Sequence, residues 1–506
     1  MKKFITKWYP LFLILIPAFY LRLHLIINRG TFWFDENFSI HFSTLSSWSE
    51  TIKYWVLETN PPLHMLLLRF YLPFINQNNE ILVRFPSLIF SIGSIILLYI
   101  FAQKILSRRV AIVSSILLSI STLNLIISAE ARMYSLLTFL SILSFYIFHK
   151  LVFEEIADNN KNKKFWILYF FINLFVLYTH LTGVVVILCQ FITIVALKPK
   201  REIFLNWFKT NILATIIFMI WFIPSIYNKF NLNLGKAWYF ETTGDILNLL
   251  FSPIANTIIT GFLETLFFII FILISYLLIK EVKEKQGKDR ALVILIFLWA
   301  LTPPLLSSFL SVYVLKYITI AYPALYLFYA YFLDKYVKST KVFVAIFIMI
   351  IFLSLPHVYE LITKINFSWS DLTQYIEENE DEQSITIISF MEVLSFNKYY
   401  HGNRPVIGLY TYKDDLSLEE RIVRYNWNLL EIEDNELNEW LFTSIEKECA
   451  TKIFLIHPPN SFERIDNALL ENNWILDEIK EPTSLSFDSL YIFHAPNNYT
   501  TSSTCK

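Results

Sequence analysis

Apolar residues fall in long unbroken runs separated by short charged segments over the first 358 residues. The first run is Trp8–Ile27, and others lie near 85–103, 110–128, 133–149, 165–180, 182–197, 209–227, 262–280, 291–311, 315–334 and 341–358. A helix rises about 1.5 Å per residue and the hydrocarbon core is about 30 Å thick, so about 20 apolar residues suffice to span it. The pattern predicts about eleven transmembrane helices. The first run follows Lys2, Lys3 and Lys7 and no small-residue cleavage site comes after it, so it reads as a retained helix or signal anchor. Beyond 358 the period shortens: 384–388, 452–456 and 489–493 read as strands, and 461–473 as an amphipathic helix running into Trp474. The predicted organisation is a polytopic α-helical membrane domain, 1–358, followed by a small soluble α/β domain, 359–506.

Two intervening segments are too polar to span. Residues 28–84 hold Trp33, Trp48 and Trp55, and a short apolar piece, 61–75, that opens at Asn60-Pro61-Pro62. They read as amphipathic helices lying in the membrane interface, where Trp and Tyr prefer to sit. Residues 228–261, with Trp238, Tyr239 and Asp245, form a second such loop. Together the two loops are expected to roof a cavity at the outer membrane surface.

Composition agrees: 55% of residues are hydrophobic and 17% charged, against roughly 45–50% and 25% in soluble domains. The net charge of −1 conceals a split, with 31 Lys/Arg against 17 Asp/Glu in 1–358 and 11 against 26 in 359–506. Of the basic residues between the runs, 22 fall on the side of Lys2 and Lys3 and eight on the other. The positive-inside rule places the first side, with the N-terminus, in the cytoplasm. An odd number of spans then puts the acidic tail outside. Nothing in this distribution resembles a nucleic-acid footprint. Cys189, Cys449 and Cys505 are too few for a disulfide framework and lack metal-ligand spacing.

Nucleotide-binding loops and the common hydrolase motifs are absent from the sequence. Ionisable groups also avoid the middles of the runs, Arg22 and His24 excepted. Five polar clusters sit instead at predicted outer ends: Trp33-Phe34-Asp35-Glu36, Pro61-Pro62-Leu63-His64, Glu130-Ala131-Arg132-Met133-Tyr134, Tyr178-Thr179-His180 and Lys316-Tyr317. Such clusters could converge on one site. Each has a plainer reading: Asp35 and Glu36 as solvated loop carboxylates, Glu130 and Arg132 as a hairpin cap, Lys316 as a snorkelling side chain, His64 and His180 as interfacial histidines.

The ordered series WFDE, NPPLHMLLLRF, RFPSLIFS, SAEARMYSLL, YTHLTG and KYITIAYPALYLF, spread over residues 1–335, resembles the GT-C glycosyltransferase superfamily. It is most similar to the bacterial and archaeal branch related to protein O-mannosyltransferases and lipid A aminoarabinose transferases, the family 39-like glycosyltransferases. The resemblance implies transfer of a sugar from a polyprenyl-phosphate carrier in the bilayer to an acceptor glycan, lipid or protein, at the outer face of the cytoplasmic membrane. It also implies that Asp35, the first acidic residue after the first span, is the general base, with Glu36 beside it, and that the reaction inverts the anomeric centre.

A leaving lipid phosphate needs fixed cations, for which Arg132, Lys316 and Arg84 are the candidates. Glu130, His64, His180, Tyr134 and Tyr317 are expected to line the substrate. No obligatory metal or cofactor is expected, although Asp35, Glu36 and Glu130 could share a divalent cation. Leu63-His64-Met65 stands where protein O-mannosyltransferases carry Gly-Lys, which argues against a protein acceptor of their type. The rival reading from a different class is a transporter or flippase for a lipid-linked or small polar substrate. It would be expected to show inverted repeats and ionisable groups at the bilayer midplane, and neither is evident in the sequence. A third reading is a non-catalytic scaffold.

Overall fold

The computed structural model describes residues 2–58, 60–154, 159–231, 272, 276, 277, 279–364, 368–409, 417–425, 434–457, 463–480 and 489–496. The chain divides into two compact units. The first comprises Met1–Ile27, Thr59–Tyr227 and Trp238–Thr363, and the second Asn28–Glu58, Asn228–Ala237 and Lys364–Lys506. The boundary near 358 expected from hydropathy thus sits after Thr363, and the loop after the first span groups with the tail.

In chain order, α1 (Lys2–Asn28) leads into α2 (Phe34–Thr44) and α3 (Trp48–Leu57), which belong to the second unit. The first unit continues with α4 (Leu63–Tyr71), α5 (Glu80–Ile105), α6 (Arg108–Ile120), α7 (Thr122–Ser128), α8 (Tyr134–Val152), α9 (Asn159–Thr179) and α10 (Gly183–Leu197). Then come α11 (Arg201–Asn231), α12 (Gly287–Phe309), a 3-10 segment at Leu315–Ala321, α13 (Tyr322–Tyr336) and α14 (Thr340–Lys364). Among the described residues six helices are long and apolar enough to cross a membrane, or seven counting α6 and α7 as one broken span bent by 60°. The expected run 110–128 is therefore two helices. Runs 182–197 and 315–334 yield helices of 15 residues each, about 22 Å long at 1.5 Å per residue and short of a straight crossing. Run 262–280 lies almost entirely outside the described residues.

The bend between α6 and α7 has identifiable causes. Ser121 leaves the helical conformation and caps α7, its hydroxyl accepting from Asn124 N–H at 3.4 Å. The end of α6 is met by Arg22 of α1, which donates to the carbonyls of Ser119 at 2.9 Å and Leu118 at 3.4 Å and to Ser91 Oγ of α5 at 2.7 Å. Elsewhere the helices are joined by packing and by a buried polar network. Ser144 donates to Asn173 Oδ1, Asn173 to Asn211 Oδ1, Gln190 to Ser144 Oγ, and Tyr169 to Gln190 Oε1, linking α8, α9, α10 and α11. Hydrogen bonding of this kind between helices serves where lipid offers no water to polar groups.

The second unit carries α15 (Trp369–Asn379), β1 (Ser384–Ser389), α16 (Val393–Tyr399), β2 (Val406–Leu409), α17 (Leu418–Tyr425), α18 (Asp434–Lys447), β3 (Lys452–His457), α19 (Glu463–Glu471), β4 (Ile475–Lys480) and β5 (Ser489–His494). The sheet order is β2-β1-β3-β5-β4, with β1 parallel to β2 and β3, and β5 antiparallel to β3 and β4. The three strands and the helix expected from sequence are present. Trp369 and Ile376 of α15 and Val393 and Phe396 of α16 pack on Ile388, Phe454, Ile456, Leu490 and Ile492 of the sheet. Cys449 is disulfide-bonded, whereas Cys189 is free and buried. One such bond is compatible with the expectation of no disulfide framework.

Candidate functional site

In the first unit four of the five polar clusters meet. Glu130 and Arg132 lie in the connection from α7 to α8, both buried. Lys316 opens the 3-10 segment, and its Nζ donates to Glu130 Oε1 at 2.9 Å and Oε2 at 3.0 Å. This pair places the segment before α13 against the start of α8. Around it stand three rings: His180 lies 5.0 Å from Tyr317 and 5.8 Å from Tyr134, centroid to centroid, and the two tyrosines are 6.4 Å apart.

His180 is set by the sharp corner between α9 and α10. Thr182 N–H donates to His180 Nδ1 at 3.2 Å, so the neutral ring carries its proton on Nε2. Gly183 lets that corner close. A Cβ there would meet the carbonyl oxygen of Val176 at 2.6 Å, the same oxygen that accepts from His180 N–H. His64, buried in α4, and His180 are both held neutral: burial, then the Arg132 charge, bring each down to about 3. The Arg132 field therefore reaches both imidazoles. Glu130, Lys316 and Arg132 with two neutral histidines carry a net charge of +1, suited to an anionic ligand. Arg84 is fully buried in the second turn of α5.

Asp35 and Glu36 belong to the second unit, in the first turn of α2. Carboxylates there complement the positive end of the helix. Glu36 is fully buried and its Oε2 accepts from Trp33 N–H at 3.4 Å; Asp35 is half-buried. Phe34, Phe38 and Phe42 form a seam along α2, with successive ring centroids 6.1 and 4.5 Å apart, and Phe42 packs on Tyr54 of α3 at 5.2 Å. Trp238 and Tyr239 lie outside the described residues. Among those described, no group of three His, Cys, Asp or Glu side chains is placed to hold a metal ion. Thr182 and Gly183, which set His180, were not among the residues expected from sequence, although Gly183 closes the YTHLTG motif.

Residues 59–227 match the family of dolichyl-phosphate-mannose-protein mannosyltransferases. No curated protein matches the chain by sequence. The fold is similar to that of the apo ArnT from Cupriavidus metallidurans, with a TM-score of 0.59 and 10% identity over 95% of this chain and 97% of that one. The same protein bound to undecaprenyl phosphate gives 0.56 and 12%, over 97% and 99%. The archaeal oligosaccharyltransferase AglB from Archaeoglobus fulgidus, in complex with an inhibitory peptide and a dolichol-phosphate, gives 0.52 and 12%, over 89% and 70%. The chain therefore shares the fold of these membrane proteins, and its segment 59–227 matches the mannosyltransferase family model.

Proposed function

We propose that the protein transfers a sugar from a polyprenyl-phosphate carrier to an acceptor hydroxyl at the outer face of the cytoplasmic membrane. The observation that carries this reading is the convergence of the buried Glu130, Arg132, Tyr134 and His180 with the half-buried Lys316 and Tyr317 into one net cationic cluster on a GT-C fold. Arg132 is the proposed cation for the lipid phosphate. Lys316, ion-paired to Glu130, sets the local geometry and adds to the positive field.

In the reaction the acceptor oxygen attacks the anomeric carbon while the bond from that carbon to the phosphate oxygen breaks. Asp35 takes the hydroxyl proton, and the polyprenyl phosphate leaves with the electron pair. A single displacement inverts the centre. No obligatory metal forms part of this proposal, because the Glu130 carboxylate is engaged by Lys316 through both oxygens. The disulfide at Cys449 supports an oxidising, extracytoplasmic location for the tail, as the distribution of basic residues does.

The test is mass spectrometry of polyprenyl-phosphate sugars from cells expressing the intact protein, Asp35→Asn or neither. One lipid-linked sugar should fall with the intact protein and stay equally high in the other two. Unchanged pools, with Asp35→Asn inserted normally, would replace this reading with transport or scaffolding.

A further inference from the structure

The segment that carries Asp35 is held from both sides by the tail. Ahead of it, Trp369 N–H donates to Thr31 Oγ1 at 2.9 Å and Phe32 N–H donates to Tyr399 Oη at 2.8 Å. Behind it, Asn37 Nδ2 donates to Ser395 Oγ at 3.1 Å and to Phe32 O at 3.1 Å, closing the turn on itself. Lys398 Nζ lies 4.6 Å from the Phe32 ring centroid. Thr31, Phe32, Asn37, Trp369 and Ser395 are all buried, so these bonds are shielded from competing water. Farther along, His41 and Lys53 meet Glu419 and Glu420 of α17 at 3.3 Å each. Apart from the local bond to Phe32 O, every partner comes from α15, α16 or α17, more than 330 residues away in sequence.

The spacing of these bonds is informative. Residues 31, 32 and 37 bracket Asp35 and Glu36, and Ser395 and Tyr399 occupy successive turns of one short helix, α16, which follows β1 directly. α16 is in turn fixed to the sheet by Val393 and Phe396. A rigid sheet thus supports one helix, and that helix sets the backbone on either side of the two carboxylates. Had the tail only kept the chain soluble, its links to this loop would have been expected at exposed positions.

We infer that the C-terminal domain is the mount of the Asp35 turn, and that Tyr399 and Ser395 are positioning residues for the transfer reaction. This rests on Asp35 being the base. A displacement of about 1 Å in a catalytic group is worth about 100-fold in rate, so loosening the mount should act on turnover, leaving donor binding as it is.

The full-length protein is reconstituted in vesicles and supplied with polyprenyl-phosphate sugars extracted from cells lacking it, as Tyr399→Phe, Ser395→Ala, Asp35→Asn and Tyr375→Phe. Tyr375 donates to Glu478 elsewhere in the tail and serves as the control. Tyr399→Phe and Ser395→Ala should lower kcat about 10- to 100-fold, with KM for the lipid sugar within about two-fold, whereas Tyr375→Phe stays at the intact rate. Hydrogen exchange of the peptide covering 31–44 should accelerate in both variants and not in the control. If Asp35→Asn is inactive while both variants keep full kcat and unchanged exchange, the mount is wrong and the base assignment stands. If Asp35→Asn retains activity, the base assignment itself falls. Should Tyr399→Phe fail to insert, Ser395→Ala carries the same decision.

Discussion

Both oxygens of the Glu130 carboxylate accept from one ammonium, that of Lys316, at 2.9 and 3.0 Å, although the two residues are 186 positions apart. Their burial is unequal: the Glu130 side chain is 1% exposed and that of Lys316 24%. Losing one partner should therefore have different consequences at the two ends. Lys316→Met leaves a carboxylate in a dry site without its ammonium and is expected to cost about 3 kcal/mol or more. Glu130→Gln leaves an ammonium that still reaches water and should cost less. Thermal unfolding of the purified protein checks the order, and the double variant should recover part of the Lys316→Met loss.

The two buried histidines give stability a pH dependence of definite sign. Both are held neutral, at about 3 against an ordinary 6.5, so the unfolded chain binds more protons between those values. Their contribution is full above pH 6.5 and is lost progressively as pH falls toward 3. At about 1.4 kcal/mol per unit, each would account for about 2 kcal/mol between pH 6.5 and 5. His64→Gln and His180→Gln should flatten the fall in unfolding midpoint over that window. An unchanged profile in both variants would mean that neither imidazole is held neutral below pH 6.5 in the folded protein.

Gly183 is where a single methyl group should reach the site. A Cβ would press on the Val176 carbonyl at 2.6 Å, and that carbonyl accepts from His180 N–H. Gly183→Ala is expected to destabilise by about 1–3 kcal/mol and to weaken sugar transfer by moving the imidazole. Activity and melting point measured together decide this, because retention of both would show that the corner has slack.

How much of this was legible in the sequence depends on which interaction decides each feature. The membrane class, the polar clusters and the strands β1, β3 and β5 follow from local hydrophobic period, and they appear where expected. β2 and β4 did not stand out. β2 has only four residues, and β4 is largely exposed with charge along it, so neither carries an apolar run. The break at Ser121 was hidden inside a continuous apolar run, since the signal there is a cap and a distant arginine rather than a change of hydropathy. Grouping of α2 with the tail rests on contacts more than 330 residues apart in sequence, such as Phe32 with Tyr399. Hydropathy has no access to pairings of that range. The clustering of His180 with Tyr134 and Tyr317 is legible only because each sits at the expected outer end of a run.

Arg22 provides the last prediction, and here donors matter more than charge. Its guanidinium is fully buried and donates to Ser91 Oγ and to the carbonyls of Ala18, Leu118 and Ser119. Two of those carbonyls end α6, where intrahelical partners run out. Arg22→Met relieves the desolvation of a buried cation but strips the donors from the bend, and unsatisfied buried carbonyls cost about 1–3 kcal/mol. The net loss of stability should be at the low end of that range. Arg22→Lys keeps a charge yet cannot reproduce the planar fork that bridges α5 and α6, so it should not rescue. Because α7 leads directly into the segment bearing Glu130 and Arg132, either change should speed hydrogen exchange in the peptide spanning 118–134 and lower transfer. Normal exchange there in a stable Arg22→Met protein would show that Ser121 alone holds the bend.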